Sequence, residues 1–452
     1  MEIRDLLITP LVLFIVLLVA WLIRPMVTDR VNRRYFMPAL IAKIIGAIAL
    51  GMIYQFYYGG GDTFTYFTLG SKYIFEAFMD DPILAIKLIF GSNEYSSDTY
   101  NYASKIYTFR DGASYFVVRV AGLFDLMTFH TYSATAVLFA TMSFSGIWVL
   151  YLTFYRQFPG IHLKLALAIL FFPSLVFWGS GILKDPLSLS ALGWATFSVW
   201  QVFFLKRMVV LNSIILFTSV LILYTVKIYI LMCFLPAAII WIMQSNLGNF
   251  KNPIVKILIA PVILMITITT GYYSIKKVGE DDARYNIETV GETARVTAEW
   301  IHYVSIREGG SAYTLGDFDY STGGIVRKIP LAIWVTLFRP YLWESNNIVM
   351  AISALESLLI FLLTIWTFYQ AGLVSGIKII GAKPILLFCV IFALTFSFAV
   401  GISTYNFGSL VRYKIPMLPY FISGLFILQY YVKRDKYESR LARLQKRLSI
   451  VS

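Results

Sequence analysis

The sequence predicts an all-α polytopic membrane protein, and three observations support this fold class. Of the 452 residues, 58% are apolar and only 14% are charged, whereas a soluble protein carries roughly 25% charged residues. Apolar stretches recur along the chain at the length that crosses a hydrocarbon core about 30 Å thick as a helix. Aromatic residues reach 17%, which suits the Trp and Tyr belts of membrane proteins. We therefore expect a single integral-membrane domain over residues 1–452.

The apolar stretches predict about 11 transmembrane helices, of which the first belongs to an additional N-terminal span and basic loop at 1–36. The predicted spans lie near residues 8–23, 37–57, 133–154, 164–179, 187–205, 209–225, 228–245, 254–274, 346–368, 384–401 and 413–432. An odd number of spans places the two termini on opposite sides of the membrane.

The distribution of charge predicts the orientation. Alternate connections, together with the tail 433–452, collect 19 Lys and Arg residues against three acidic residues. The positive-inside rule assigns that side to the cytoplasm, so we expect the N-terminus outside and the C-terminus inside a bacterial inner membrane. Although the net charge is +13, the basic tail is better explained by anionic membrane lipids than by nucleic acid.

Two large segments, 58–132 and 275–345, are predicted on the outer (periplasmic) face and contain candidate interfacial helices. Residues 66–90 are expected to form one or two such helices, broken near Asp80-Asp81-Pro82. Most of the chain outside the membrane therefore lies on one face, which is where we expect the chemistry.

The first candidate site follows the second span, where Gly59, Gly60 and Gly61 precede Asp62 and Tyr66. Three glycines let the backbone turn sharply, and Asp62 then stands at a plausible helix N-cap with Tyr66 on the same face. Asp62 could act as a general base toward a hydroxyl group, with Tyr66 as a substrate-binding ring. The alternative is a capping aspartate after a flexible turn.

The second candidate site is the short connection that contains Trp178, Lys184, Asp185 and Pro186. A charged residue at mid-membrane costs about 3 kcal/mol, so the Lys-Asp pair belongs at a boundary or in a wet cavity. The small residues beside Trp178 permit close approach of a ligand, and Lys184 and Asp185 are candidate catalytic residues. The alternative is a structural helix start, with Asp185 as the cap, Pro186 in the first turn and a snorkelling lysine.

Cations near the ends of other spans are candidate phosphate ligands. Arg412 and Lys414 lie at the outer end of the last span, where they oppose the positive-inside bias. A phosphate headgroup would stabilise them, since Arg can donate two parallel hydrogen bonds to it; the alternative is an interfacial anchor. The remaining candidates for substrate binding are Lys227, Arg339 and Glu344, of which the last two could instead pair with each other.

Several kinds of site have no support in the sequence. No ligand cluster indicates a metal or another cofactor, although a divalent metal remains optional, and no motif of a hydrolase is present. Glu356 lies within the ninth span and should face the protein interior. The histidines are scattered, and we interpret the last as structural: His130, His162 and His302.

The layout of a span, an acidic residue just beyond it, interfacial helices and a return into the bundle resembles the GT-C superfamily of membrane glycosyltransferases. The resemblance runs from the second span to about residue 245 and depends on Asp62 with Tyr66 and on Lys184-Asp185. Many members carry two adjacent acids in this loop, whereas Asp62 stands between Gly61 and Thr63. The stretch from Asn406 to Pro419 also resembles polysaccharide polymerases of the Wzy/EpsG type.

The resemblance implies an enzyme that transfers a sugar from a polyprenyl-phosphate donor to a glycan, lipid or protein acceptor of the cell envelope. Asp62 would accept the acceptor's proton, and the cations would stabilise the leaving lipid phosphate. A Wzy/EpsG-type polymerase is the first alternative. A transporter or flippase, which should show paired broken helices in two related halves, and a non-catalytic subunit of an envelope complex are the others.

Overall fold

The structure is a computed structural model that describes residues 4–247, 295–296, 299–300, 303, 313–316, 322–345 and 347–451. The regular secondary structure of these ranges consists of helices, which turns and short loops connect. The predicted span at 254–274, most of the predicted outer segment 275–345 and His302 lie outside the described residues.

The described helices, in chain order, are α1 Asp5–Val27, α2 Arg33–Met52, α3 Asp62–Tyr66, α4 Lys72–Asp80, α5 Pro82–Phe90, α6 Tyr100–Ala103, α7 Gly112–Thr128, α8 Tyr132–Gln157, α9 His162–Ile169, α10 Pro173–Phe177, α11 Lys184–Val199, α12 Val209–Leu247, α13 Thr322–Phe338, α14 Ile348–Ala371, α15 Leu373–Ala382, α16 Pro384–Ser403, α17 Phe407–Tyr413 and α18 Leu418–Val451. They form two compact units. The first unit comprises Met1–Gln157 and Ile169–Leu231, and the second comprises Phe158–Ala168 and Met232–Ser452.

Seven helices in the described part of the chain are long and apolar enough to cross a membrane, or eight if the bent pair α17 and α18 counts as one span. They are α1, α2 with its extension to Tyr57, α8, α11 with its extension to Leu205, α12, α14 and α16. The helical multi-pass character that the composition predicted is therefore confirmed. The predicted count of eleven is not confirmed.

One predicted span, 164–179, is interrupted in the structure. The helix α9 ends at Ile169 and α10 begins only at Pro173. Phe172 is extended (ψ 123°), because the ring of a following proline disfavours the helical conformation in the residue before it. The sequence did not predict this break, because the stretch is apolar on both sides of it.

Two other predicted spans, 209–225 and 228–245, both lie within α12, in which two helical segments meet at a kink at Lys227. The backbone of Lys227 is non-helical (φ −151°, ψ 76°). The predicted boundary between the two spans therefore coincides with a real interruption of the helix.

The first segment predicted on the outer face contains more helix than its sequence indicated. A break between α4 and α5 occurs at Asp81, as expected, where the Asp81 carboxylate accepts a hydrogen bond from the Ile83 amide at 2.9 Å. The segment also contains α7, a 17-residue helix that returns the chain toward α8. In the second unit, α13 likewise has 17 residues.

Small residues let α8 and α11 approach closely in the first unit. A Cβ atom at Gly146 would lie 2.2 Å from the Ser190 carbonyl oxygen, and one at Gly193 would lie 2.1 Å from the Gly146 carbonyl oxygen. Membrane helices pack through such positions because lipid offers no hydrophobic driving force between them. This contact holds α11, and with it Lys184 and Asp185, against the core of the first unit.

Candidate functional site

The turn that leads to Asp62 depends on its three glycines. Gly59, Gly60 and Gly61 all have positive φ values of 69°, 144° and 127°, a region that side chains disfavour. Gly61 is the residue that caps α3, and Asp62 is the first residue inside the helix, so the prediction that Asp62 itself is the N-cap is wrong. Its carboxylate is exposed at the positive end of the short helix.

Aromatic rings surround this turn. Tyr132 stacks on Phe64 with ring centroids 4.7 Å apart and shares a hydrogen bond of 2.7 Å between its hydroxyl group and that of Thr63. Tyr57 and Tyr58 are exposed and contact each other edge to face. Tyr66, a predicted substrate-binding residue, is buried instead of facing the exposed side of the turn.

The second predicted catalytic pair begins α11. Lys184 is the first residue of the helix, and its ammonium group lies 3.7 Å from the carboxylate of Asp111, the residue that precedes α7. Leu183, not Asp185, is the N-cap of this helix, which corrects the predicted capping role of Asp185. The Lys184 side chain is 21% exposed and that of Asp111 is 46% exposed, so solvent reaches both charges.

Partial burial acts to raise the pKa of Asp111, but the hydrogen bond from Ser114 and the positive charge of Lys184 outweigh it. The pKa of this carboxyl therefore lies below its ordinary value. Asp111 is ionised at neutral pH, and Lys184 faces a carboxylate partner that an anionic ligand would have to replace.

Residues beside Asp62 and Lys184 pack near the same end of α2. A Cβ atom at Gly181 would lie 2.7 Å from Leu50, and one at Gly51 would lie 2.4 Å from the Tyr132 ring. Lys184 follows Gly181 by three residues, and Asp62 adjoins Thr63, the hydrogen-bond partner of Tyr132. The chain segments that carry the two charged residues therefore both contact the end of α2 or its neighbour Tyr132.

Asp185 and Lys227, the other two charges predicted for this region, contact each other in the interior of the first unit. The Lys227 ammonium donates a hydrogen bond of 2.5 Å to the Asp185 carboxylate, and the side chains are 6% and 0% exposed. Trp178 is also buried and contacts Phe177 edge to face. This ion pair accounts for both charges without a ligand.

A further buried cation, Lys43, was missed by the sequence analysis. Its ammonium group donates to the carbonyl oxygens of Gly179 and Leu175 at 2.7 and 2.8 Å and to the Ser143 hydroxyl group at 3.2 Å. These carbonyl groups belong to the interrupted region around α10, which lacks a continuing helix to satisfy them. The signal available in the sequence was a lysine inside an otherwise apolar span.

A histidine–aspartate pair was missed as well. His130 Nδ1 lies 2.8 Å from the carboxylate of Asp125, which is fully buried and also accepts a hydrogen bond of 2.6 Å from Thr135. The His130 ring stacks on Phe67 with centroids 4.0 Å apart. The carboxylate thereby fixes the orientation of the imidazole. The two residues face each other across the end of α7, a turn that the sequence did not predict.

The cations predicted for phosphate binding in the second unit also have protein partners. Arg339 donates from Nε to Glu344 Oε2 at 3.1 Å and from Nη2 to Glu344 Oε1. Its guanidinium group lies over the rings of Phe407 and Tyr313 at 4.8 and 5.5 Å. Arg412, in α17, is half-buried. The mutual pairing of Arg339 and Glu344, one of the two sequence interpretations, is what the structure contains.

Lys414 is completely buried in the second unit. Its ammonium group donates to the Arg339 carbonyl oxygen at 3.0 Å and to the Ser357 hydroxyl group at 2.9 Å. It also interacts electrostatically with Glu356, which is 4% exposed and so faces the interior as expected. These contacts satisfy Lys414 within the protein.

Among the described residues, no group of three or more His, Cys, Asp or Glu side chains is arranged to hold a metal ion. Comparisons with protein-family models, with curated proteins and with solved structures found no match to this chain.

Proposed function

We propose that the protein is a membrane glycosyltransferase, which moves a sugar from a polyprenyl-phosphate-type lipid donor to an envelope glycan, lipid or protein acceptor on the outer face of a bacterial inner membrane. The observation that supports the proposal is that the residues beside Asp62 and Lys184 pack near the end of α2, through the Thr63–Tyr132 hydrogen bond and the contact of Gly181 with Leu50. A carboxylate and an ammonium group at the end of apolar helices are the base and the cation that transfer from a lipid phosphate requires.

In this reaction the acceptor hydroxyl oxygen forms a bond to the anomeric carbon as the bond from that carbon to the phosphate oxygen breaks. Asp62 takes the hydroxyl proton, and the lipid phosphate leaves with the bonding electron pair. The exposure of Asp62 on the first turn of α3 leaves it accessible to an acceptor. The exposed rings of Tyr57 and Tyr58 offer apolar faces on which a sugar could stack.

Lys184 is the proposed partner of the leaving phosphate. Its ion pair with Asp111 is long, at 3.7 Å, and partly exposed, and such a pair contributes little to stability, about 0–1 kcal/mol. A phosphate group can therefore displace Asp111 at small cost. The buried pair of Asp185 and Lys227 supports this site by holding the first turn of α11 in place. The proposal does not depend on Arg339, Arg412 or Lys414.

The test is transfer from lipid-linked sugar donors by the purified protein. Asp62→Asn keeps the size of the side chain and removes the base, so the rate should fall by about 10²- to 10⁴-fold with no change in thermal stability. Glu94→Gln is the matched control, because Glu94 is an exposed carboxylate in the same segment, and its rate should be that of the wild type. Normal transfer by Asp62→Asn would refute the role of Asp62 as the base.

A second candidate function, transport of a lipid-linked sugar, is favoured by two interrupted helices that each carry a buried lysine. Lys227 interrupts α12, and Lys414 lies at the 64° bend between α17 and α18. Interrupted helices with buried charges are typical binding elements of transporters. Proteoliposomes that move a fluorescent lipid-linked sugar across the bilayer without breaking its sugar–phosphate bond would favour transport over transfer.

A further inference from the structure

The second unit contains a short helix, α15, that joins two candidate membrane spans. It follows α14 after a single glycine, Gly372, whose φ of 73° allows the chain to change direction at once. Gly376 then packs against Phe368 of α14, since a Cβ atom there would lie 3.2 Å from that ring. Because α15 connects the ends of two candidate spans, we expect it at the level of the lipid headgroups.

The outer surface of α15 is apolar. Leu373, Val374 and Ile377 are 65%, 67% and 58% exposed. A helix that lies in the membrane interface with an apolar face of this kind buries it among the upper acyl chains. A cavity bordered by the other side of α15 would therefore adjoin lipid.

Such a cavity, of about 580 Å³, lies between α15 and α18, where α18 leaves its apolar part. Its polar lining consists of Ser375, Asp435, Lys436, Ser439 and Arg440. Lys436 and Arg440 are one helical turn apart on the same face of α18. The Lys436 ammonium donates a hydrogen bond of 3.0 Å to the Gln370 carbonyl oxygen, which holds it at the cavity. The volume is within the range of about 300–1,000 Å³ that small-molecule sites occupy.

We propose that this cavity binds the headgroup of a phospholipid that carries a primary ammonium group, such as phosphatidylethanolamine. The phosphate would accept hydrogen bonds from Lys436 and Arg440, and the ammonium group would donate to Asp435. Ser375 and Ser439 would supply neutral hydrogen bonds. The acyl chains would then run along the apolar surface of α15.

The cavity is lined by both positive and negative side chains, and this favours a headgroup that carries both a phosphate and an ammonium group. A purely anionic headgroup would leave Asp435 beside a like charge, which is unfavourable. A choline headgroup has no N–H group to donate to the carboxylate. The adjoining apolar face argues for a lipid over a free phosphate compound.

The test is native mass spectrometry of the detergent-purified protein with equal amounts of phosphatidylethanolamine, phosphatidylcholine and phosphatidylglycerol of matched acyl chains. The wild type should retain phosphatidylethanolamine most strongly. Asp435→Asn should reduce that preference over phosphatidylcholine by about tenfold, which is the effect of one hydrogen bond to a charged group. The double variant Lys436→Gln/Arg440→Gln should reduce the binding of all three lipids.

Lys433→Gln is the matched control, because Lys433 is an exposed cation on the same helix that does not line the cavity. It should bind lipid as the wild type does. Equal retention of the three lipids, stronger retention of phosphatidylglycerol, or an equal loss in the control would each overturn the proposal. Unchanged thermal stability of the variants identifies any loss of binding as local.

Discussion

Lys227 and Asp185 form a buried ion pair across 42 residues of sequence, with 2.5 Å between the ammonium nitrogen and the carboxylate oxygen. Lys227 lies at the break in α12 and Asp185 in the first turn of α11. Each charge is taken out of water by the packing of the first unit, so each depends on the other for compensation. The pair joins the interruption of one helix to the beginning of another.

Removal of either partner should destabilise the protein strongly. Lys227→Gln or Asp185→Asn leaves an uncompensated buried charge, which costs about 3–5 kcal/mol. The double variant should lose less stability than the two single variants lose together. Denaturation in detergent measures the stability of all three variants. If Asp185→Asn is as stable as the wild type but inactive, the ion pair is not structural and Asp185 acts in catalysis, as the sequence analysis predicted.

The ion pair of Asp111 with Lys184 should give a pH-dependent contribution to stability. Because the pKa of folded Asp111 is lowered, this contribution is complete above the ordinary carboxyl pKa of about 3.9. It is lost as the pH falls through the lowered value. The difference in Tm between wild type and Asp111→Asn should therefore be largest near neutral pH and should disappear in acid. A constant difference across the titration would contradict the assignment, and Glu94→Gln serves as the control.

The Asp125–His130 pair should matter for the stability of the turn after α7. Asp125→Ala would leave the Thr135 hydroxyl group without its buried acceptor and should cost about 1–3 kcal/mol. His130→Ala removes a side chain that is 16% exposed and should cost less. Thermal unfolding of the two variants shows which one loses more stability. A larger loss of stability in His130→Ala would show that ring stacking on Phe67 outweighs the hydrogen-bond network.

The close contact of α8 with α11 should not tolerate a methyl group. Gly146→Ala would place a Cβ atom 2.2 Å from a backbone oxygen, so the two helices must separate and we expect a loss of about 1–3 kcal/mol. Gly381→Ala is the control, since a Cβ atom there meets nothing within 4 Å and alanine favours the helix. Equal thermal stability of the two variants would contradict the packing.

The orientation predicted from the charge distribution can be checked by labelling of single cysteines in a variant without Cys233 and Cys389. An impermeant thiol reagent applied to intact cells should modify a cysteine at Ser97, which is exposed in the structure, but not one at Ser449. Modification at Ser449 from outside would reverse the predicted orientation. Disrupted cells, in which both positions should react, provide the control.

The sequence by itself determined the helical, multi-pass character of the protein. In lipid every backbone N–H and C=O group must be satisfied within the segment, so a long apolar run becomes a helix whatever its neighbours are. Local chemistry also specified the break at Asp81. Pro82 follows it, and the Asp81 carboxylate accepts a hydrogen bond from the Ile83 amide at the start of α5. The interior position of Glu356 followed from the cost of exposing a charge to lipid.

The tertiary structure alone decided which polar side chains are compensated and which are left accessible. Lys43 reaches partners up to 136 residues away, and Asp185 meets Lys227, which follows it by 42 residues. No local pattern encodes such pairs, because they depend on how helices distant in sequence come together. The same packing buries Lys414 and Tyr66 but leaves Asp62 exposed and Lys184 partly exposed, since helix contacts, and not residue type, set the distance of each side chain from water.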